Sequence, residues 1–307
     1  MKLIATKCAL CGSLEDYTIV YQENFKERDV TSDIFSARKM PDRIHHRIVR
    51  CNKDGLIRSN PVLDECIMRD LYKKSGFTYL EEVENLADSY YKALRPFLSE
   101  APKNAKILEI GCGNGFLLKR LYENGYKNTF GIEPSIDAAE KCDKSIRPRI
   151  VVDMLKPGIF KSNTFDMVYC FQTFDHIQDP NSFLEICHDL LTPRGIIAAF
   201  NHDVESLQAK ILREKSPIID IGHAYLYSRV TMRKIFEKHR FLPILIYSPF
   251  SIVSLRHLIW LSPLPEAFKI KLFNLKKGIL GIFLKQRIKI RLGNICLIAK
   301  KDSAPHP

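Results

Sequence analysis

The sequence predicts an α/β fold: a mostly parallel, doubly wound sheet with helices on both faces, preceded by a small N-terminal module. Three observations carry this expectation. From residue 106 onward, short β-branched runs alternate with helical periodicity, which argues for a parallel sheet with right-handed crossovers. The run Ile107-Leu-Glu-Ile110 ends in the turn Gly111-Cys-Gly113-Asn-Gly115 and passes straight into the helical Phe116-Leu-Leu-Lys-Arg-Leu-Tyr122. Polar groups then fall at the ends of successive strands, at Glu133, Asp153 and Gln172. Ligands of open parallel sheets sit beyond those carboxyl ends, so the pattern reads as a binding site.

Residues 1–60 are polar with short apolar pieces and form the module, which carries Cys8-x-x-Cys11-Gly12 and Cys51-x-x-Asp54-Gly55. Residues 61–102 predict a helical cover. Asp64–Lys74 is flanked and faced by Leu63, Ile67, Leu71 and Tyr72, and Tyr79–Leu98 carries Val83, Leu86, Tyr90, Leu94 and Leu98 at helical spacing. Residues 103–301 form the main domain, with strands expected at 106–110, 128–133, 149–152, 165–171, 195–201, 241–248 and 294–300. Helices are expected at 115–124, 135–143, 181–191, 203–213 and 229–239, with Thr192-Pro-Arg-Gly195 as a turn. Residues 250–292 are an insertion before the last strand, and 302–307 are a tail. Within the insertion, 264–286 predicts one amphipathic helix with Phe268, Leu272, Leu275, Ile279 and Ile282 on its apolar face, laid over the cleft as a lid or against a membrane.

Composition narrows the function classes. A 307-residue chain, 46% hydrophobic and 27% charged, has the makings of an ordinary globular core. The nine cysteines are an odd number, several sit in apolar patterns, and the N-terminal apolar stretch is too short for a signal peptide. A reducing, cytoplasmic protein is expected. Residues 251–301 hold eleven Lys or Arg against the single acid Glu266, so +10 of the net +12 is local to this segment. A basic surface spread over the whole molecule would suggest nucleic acid. This one suits peripheral contact with an anionic membrane or polyanion.

A dinucleotide fingerprint would require glycine at position 116, which is Phe. Glu109-x-Gly-x-Gly-x-Gly115 instead resembles motif I of the class I S-adenosylmethionine (SAM) methyltransferases, and the order and spacing of motifs are similar from about residue 80 to 300. The resemblance implies a Rossmann-like, seven-stranded sheet with an antiparallel last strand, and SAM as cofactor. Gly111, Gly113 and Gly115 let the backbone come close to a ligand, with Cys112 and Asn114 between them. The family's acid at the position of Glu109 orients this loop near the methionine amino group. Glu133, followed by Pro134, can accept both ribose hydroxyls. Asp153 can accept from the adenine amino group while Met154 covers its face, and Phe171 and Gln172 face the methionine half.

Methyl transfer from a sulfonium is an in-line displacement, so catalysis is largely positioning, with a base for the acceptor's proton. His176-Ile-Gln-Asp179-Pro180 resembles the family's H-x-x-D-P signature near the substrate. His202 ends the fifth strand, and His223 lies in a loop similar to a substrate-facing loop of related enzymes, with Gly222 where an acid often stands. His202 or His223 is the expected base. No Asn/Asp-Pro-Pro-Tyr segment or Pro-Cys nucleophile follows strand four, and the sequence offers no acid cluster for a metal that assists a catechol.

The front module is similar to that of a methyltransferase subset acting on sugars or natural products, and implies one structural Zn²⁺ on Cys8, Cys11, Cys51 and Asp54. His45 or His46 is an alternative fourth ligand, and a knuckle pair kept only for packing is another reading. The expected activity is SAM-dependent methylation of a small molecule, such as a sugar-containing or natural-product intermediate. A nucleotide- or lipid-linked glycan would fit. The alternatives are an RNA methyltransferase using the basic insertion, disfavoured because no RNA-binding module is present, and a non-catalytic SAM-binding scaffold.

Overall fold

Seven strands, β1 (Ile107–Ile110), β2 (Thr129–Ile132), β3 (Ile150–Val151), β4 (Phe165–Phe171), β5 (Leu191–His202), β6 (Phe241–Tyr247) and β7 (Asn294–Lys301), build the central sheet. The computed structural model describes residues 2–36, 43–77, 82–98, 101–262, 264–273 and 279–302. The strand order is β6-β7-β5-β4-β1-β2-β3, and only β7 runs antiparallel to its neighbours. The order reverses between β1 and β4, which opens a crevice at their carboxyl ends.

Period-two alternation along the inner strands divides the core into two layers. Leu108, Ile110, Val168, Cys170, Ile197, Ala199 and Leu297 face one way, against α5 (Pro180–Leu190) and α7 (Arg229–Lys238). Ile107, Tyr169, Phe171, Ala198, Phe200, Cys296 and Ile298 face the other way, against α2 (Val83–Leu98) and α3 (Phe116–Glu123). Burial on both faces explains why these strands read as continuous apolar runs. Two shorter helices, α4 (Ile136–Glu140) and α6 (Leu207–Leu212), follow β2 and β5.

Ahead of the sheet, α1 (Glu65–Lys74) starts at Asp64, whose side chain accepts from the Cys66 N–H at 3.0 Å. The start of the second predicted helix at Tyr79 lies outside the described residues. The expected turn at 192–195 is instead part of a continuous β5. Leu191 pairs with Phe165 and Ile196 with Met167, so the extra residues bulge out of the ladder, where Pro193 needs no N–H partner.

The N-terminal module is a four-stranded antiparallel sheet in the order 225–226, 57–59, 48–51, 17–21. Its outer strand, Tyr225–Leu226, comes from the loop before α7, and Leu3–Ile4 pairs with Val62–Leu63.

The insertion departs from the expected single helix. A hairpin, Ser251–Ser254 against Arg287–Ile290, encloses α8 (Leu255–Leu261), α9 (Glu266–Phe273) and α10 (Ile279–Leu284). Leu275 lies outside the described residues. Phe268 is 53% and Ile282 67% exposed, whereas Lys269 is 2% exposed and donates to the Trp260 carbonyl at 2.7 Å. Phe268 and Ile282 of the predicted apolar face therefore point outward. A cation at the C-terminal end of α8 satisfies an orphan carbonyl and the helix dipole, and this contact overrides the apolar period. No helix among the described residues is long and apolar enough to cross a membrane.

His46 is buried against Phe25, with ring centroids 4.9 Å apart, and burial followed by the neighbouring His45 pushes it down to about 4. A ring kept neutral in the fold contributes fully above the unfolded value of about 6.5, and this contribution is lost as pH falls toward 4. Urea unfolding at pH 7.5 and 5.5 should show a loss of about 1 kcal/mol from this ring. His46→Gln should flatten the pH slope by that amount.

Candidate active site

The crevice at the β1/β4 switch point opens into a cavity of about 770 Å³. Lining it are Glu109, Gly111, Cys112, Gly113, Glu133, Pro134, Asp153, Met154, Phe171 and Gln172, together with His176, His202 and His223. Asn114 and Gly115 lie off the cavity wall. Gly115 instead caps α3 at φ +69°, where an added Cβ would stand 2.8 Å from the Cys142 sulfur.

Positive φ at Gly111 and Gly113 shapes the loop. Glu133 holds it from the side: Oε2 accepts from the Gly113 N–H at 2.8 Å and Oε1 from the Ser135 N–H at 2.9 Å. Each oxygen keeps a lone pair for a ligand hydroxyl. Burial pushes the Glu133 carboxyl up, and the two N–H donors oppose that shift. Glu109 is buried beneath the loop and accepts from the Tyr169 hydroxyl at 2.9 Å. Asp153 lies at the far end, held below its ordinary range by Lys156, whose ammonium is 2.6 Å away, and bonded to the Met154 N–H. The three carboxylates thus stand along the cavity in strand order.

At the other end, three histidines from separate segments surround Asp175, a residue only 1% exposed. His202 Nδ1 lies 3.0 Å from Oδ2, His223 Nε2 3.7 Å from Oδ2, and His176 Nε2 3.9 Å from Oδ1. Burial alone would raise the Asp175 carboxyl. Attraction to His223, the hydrogen bond from His202 and attraction to His176 outweigh it and hold the group well below its usual range. His176 is pushed down to about 4 by burial and by His223, so it is neutral at pH 7, with Nδ1 3.0 Å from the Tyr72 hydroxyl. The Asn201 amide, oriented to donate to the Phe200 carbonyl, accepts from the Asp175 N–H, both at 2.9 Å.

Sequence reasoning singled out the histidines and missed their hub. Asp175 immediately precedes His176, but its position beside His202 comes from the pairing of β4 with β5. Asp175, His176 and His223 also place one donor atom each within 4.8 Å of one another, a mixed set rather than an acid cluster. The cavity wall in the insertion is α8, through His257, Trp260 and Leu261. The predicted lid face of 264–286 does not form it.

The front cysteines converge as well. Cys8, Cys11, Cys51 and Asp54 bring their donor atoms within 4.8 Å, with the Cys11 and Cys51 sulfurs 3.6 Å apart. Gly12 and Gly55 close two like turns at φ +77° and +73°, their N–H groups bonding the Cys8 and Cys51 carbonyls. Asp54 therefore occupies the place in its turn that Cys11 occupies in the other. Burial, then Asp54, push the Cys11 thiol up to about 12, while backbone donors at Asp54 hold Cys51 below its ordinary value despite burial. Three sulfurs and a carboxylate so close together are a donor set that fits Zn²⁺. Neither alternative ligand joins them: His45 is bonded to the His46 carbonyl at 2.8 Å and to Glu214 at 3.2 Å, and His46 packs on Phe25.

Residues 79–241, more than half of the chain, match the family described as the methyltransferase domain. Curated relatives are ubiquinone biosynthesis O-methyltransferases. That of Caulobacter vibrioides is 31% identical over 116 residues, 33% of this chain and 43% of the relative. That of Colwellia psychrerythraea is 28% identical over 116 residues, 35% and 46% of the two chains. The chain spans less than half the length of these relatives. Among solved structures, a chain in the complex between the Haloferax volcanii Trm112 methyltransferase activator and a methyltransferase shares the fold at TM-score 0.50 and 15% identity, covering 74% of this chain and 95% of that one. A candidate methyltransferase of Bacillus halodurans does so at TM-score 0.50 and 13% identity, covering 70% and 100%.

An added Cβ at Gly111 would stand 2.4 Å from the Thr173 hydroxyl, at φ +73°. Gly111→Ala should cost about 1–3 kcal/mol in chemical denaturation. Gly158→Ala, at φ +86° with nothing within 4 Å, carries the backbone strain without the clash and should cost less.

Proposed function

The chain belongs to the family of methyltransferase domains, and on that premise we propose that it transfers a methyl group from SAM to a hydroxyl of a small molecule. The observation that carries this reading is the Asp175–His202 pair in the wall of the cavity that also holds the glycine loop. A carboxylate accepts only, so His202 Nδ1 carries the proton and Nε2 is left as the ring's acceptor. Asp175 fixes that tautomer and stabilises the imidazolium that forms when Nε2 takes the acceptor's proton.

SAM, when bound, supplies an electrophilic methyl for in-line displacement. Glu133 suits the ribose hydroxyls, Asp153 the adenine amino group, and the loop at 111–113 the amino-acid half. The buried Glu133 and the enclosing cavity wall would limit water around a bound sulfonium and preorganise the approach of the acceptor oxygen. Phe35, Met68, Tyr72 and Trp260 line the acceptor side, which favours a ring with an apolar face, as in an aromatic or glycosylated natural product. The name O-methyltransferase carried by the curated relatives supports oxygen as the acceptor atom.

His202→Ala should lower kcat in a labelled-methyl assay by about 10²–10⁴-fold and leave SAM affinity by calorimetry unchanged. Unchanged turnover would remove His202 from the role of base, and failure of the parent protein to bind SAM would sink the whole reading.

We also propose that Cys8, Cys11, Cys51 and Asp54 hold a structural Zn²⁺. The support is two like turns that present four donors to one point. Protein purified without chelator should carry stoichiometric zinc by elemental analysis, and Cys51→Ser should lose it together with thermal stability.

A further inference from the structure

We infer that Asp175, His176 and His223 form a second metal site, separate from the cysteine cluster, for a divalent first-row transition ion on the acceptor side of the cavity. Three observations converge. The first is spacing. His223 Nε2 and His176 Nε2 stand 3.7 and 3.9 Å from the two Asp175 oxygens, too far for hydrogen bonds. Donors that share one ion at the usual bond lengths of about 2.1 Å lie roughly 3.0–3.6 Å apart, and the three donor atoms here lie within 4.8 Å of one another.

The second is where the protons must be. His223 Nδ1 lies 2.7 Å from the Ile218 carbonyl, which can only accept, so the proton sits on Nδ1. His223 Nε2 then faces the Asp175 carboxylate at 3.7 Å, and in the neutral ring it offers a lone pair that a cation between the two would satisfy. His176 Nδ1 is engaged by the Tyr72 hydroxyl, which leaves Nε2 on the Asp175 side, 3.9 Å from Oδ1. Metal-bound histidines characteristically tie their distal nitrogen to a carbonyl or hydroxyl in this way.

The third is the carboxylate itself. Oδ1 of the buried Asp175 has no hydrogen-bond partner among the described residues, while Oδ2 accepts from His202. A buried carboxylate oxygen calls for a hydrogen-bond donor or a cation, and an ion shared with the two imidazoles would supply one.

Two imidazoles and one carboxylate favour Zn²⁺, Co²⁺ or Fe²⁺ over Mg²⁺ or Ca²⁺. Three protein ligands leave coordination positions open toward the cavity. On the methyl-transfer reading, an acceptor hydroxyl bound there would have a lowered pKa, with its proton passing to His202. Metal binding itself does not depend on that reading.

Co²⁺ distinguishes the two sites by colour, because only thiolate ligands add a sulfur-to-cobalt charge-transfer band. Full-length Cys51→Ser protein, stripped of metal and titrated with Co²⁺, should develop visible ligand-field bands from the histidine site, any Co²⁺ held by the remaining Cys8 and Cys11 being marked by the charge-transfer band. His176→Gln and His223→Gln, each in that background, should weaken this binding at least ~10-fold. Circular dichroism and SAM calorimetry would show that each variant is folded. Absence of ligand-field bands in folded Cys51→Ser protein, or bands unchanged in both glutamine variants, overturns the site. Neither outcome bears on methyl transfer, which His202→Ala tests separately.

Discussion

The buried Asp175 carboxylate is the constraint around which the histidine end of the cavity is arranged. A charge removed from water must be compensated by partners drawn from elsewhere in the chain. Here the compensation comes from His176 in the same turn, His202 at the end of β5 and His223 in the loop before α7. Asn201 clamps the Asp175 backbone. One carboxylate thus fixes the relative positions of three loops, and the same contacts select which nitrogen of each ring is free.

The N-terminal module is tied to this centre directly. The Ser59 hydroxyl donates to the His223 carbonyl at 2.7 Å, and the Ser59 N–H donates to the Ala224 carbonyl at 2.9 Å. The His223 loop then becomes the outer strand of the module's sheet. The cysteine cluster, by holding the turns at 8–12 and 51–55, steadies the strand 57–59 that supports His223. This arrangement gives the module a structural reason to accompany the domain. Burial of the Arg58 side chain under the same strand, bonded to the Thr6 and Leu14 carbonyls, belongs to that support.

Legibility in the sequence followed the range of the interactions involved. The alternation of apolar runs from residue 106, and the turn from β1 to α3, arise from local periodicity and glycine chemistry, so the strand and helix spans fell close to the observed ones. Glu109, Glu133 and Asp153 were legible as carboxylates near successive strand ends for the same reason, because that placement follows from local strand and turn signals. The insertion was not legible. Apolar spacing at 268, 272, 275, 279 and 282 suggested one buried face, while the actual choice was made by a buried Lys269 and the carbonyl of Trp260.

The sequence by itself determined the seven-stranded α/β plan, the glycine loop with its ordered carboxylates, and the three histidines available for chemistry. Backbone preference and burial period are written into neighbouring residues, so no distant contact was needed to read them. Tertiary structure alone decided that Asp175 is the hub of those histidines, and which nitrogen of each ring faces it. It also decided that His45 is spent on Glu214 rather than on the cysteine cluster. These are long-range matters of desolvation and hydrogen-bond satisfaction. They arise only when β4, β5, the loop at 217–224 and the front module are packed against one another.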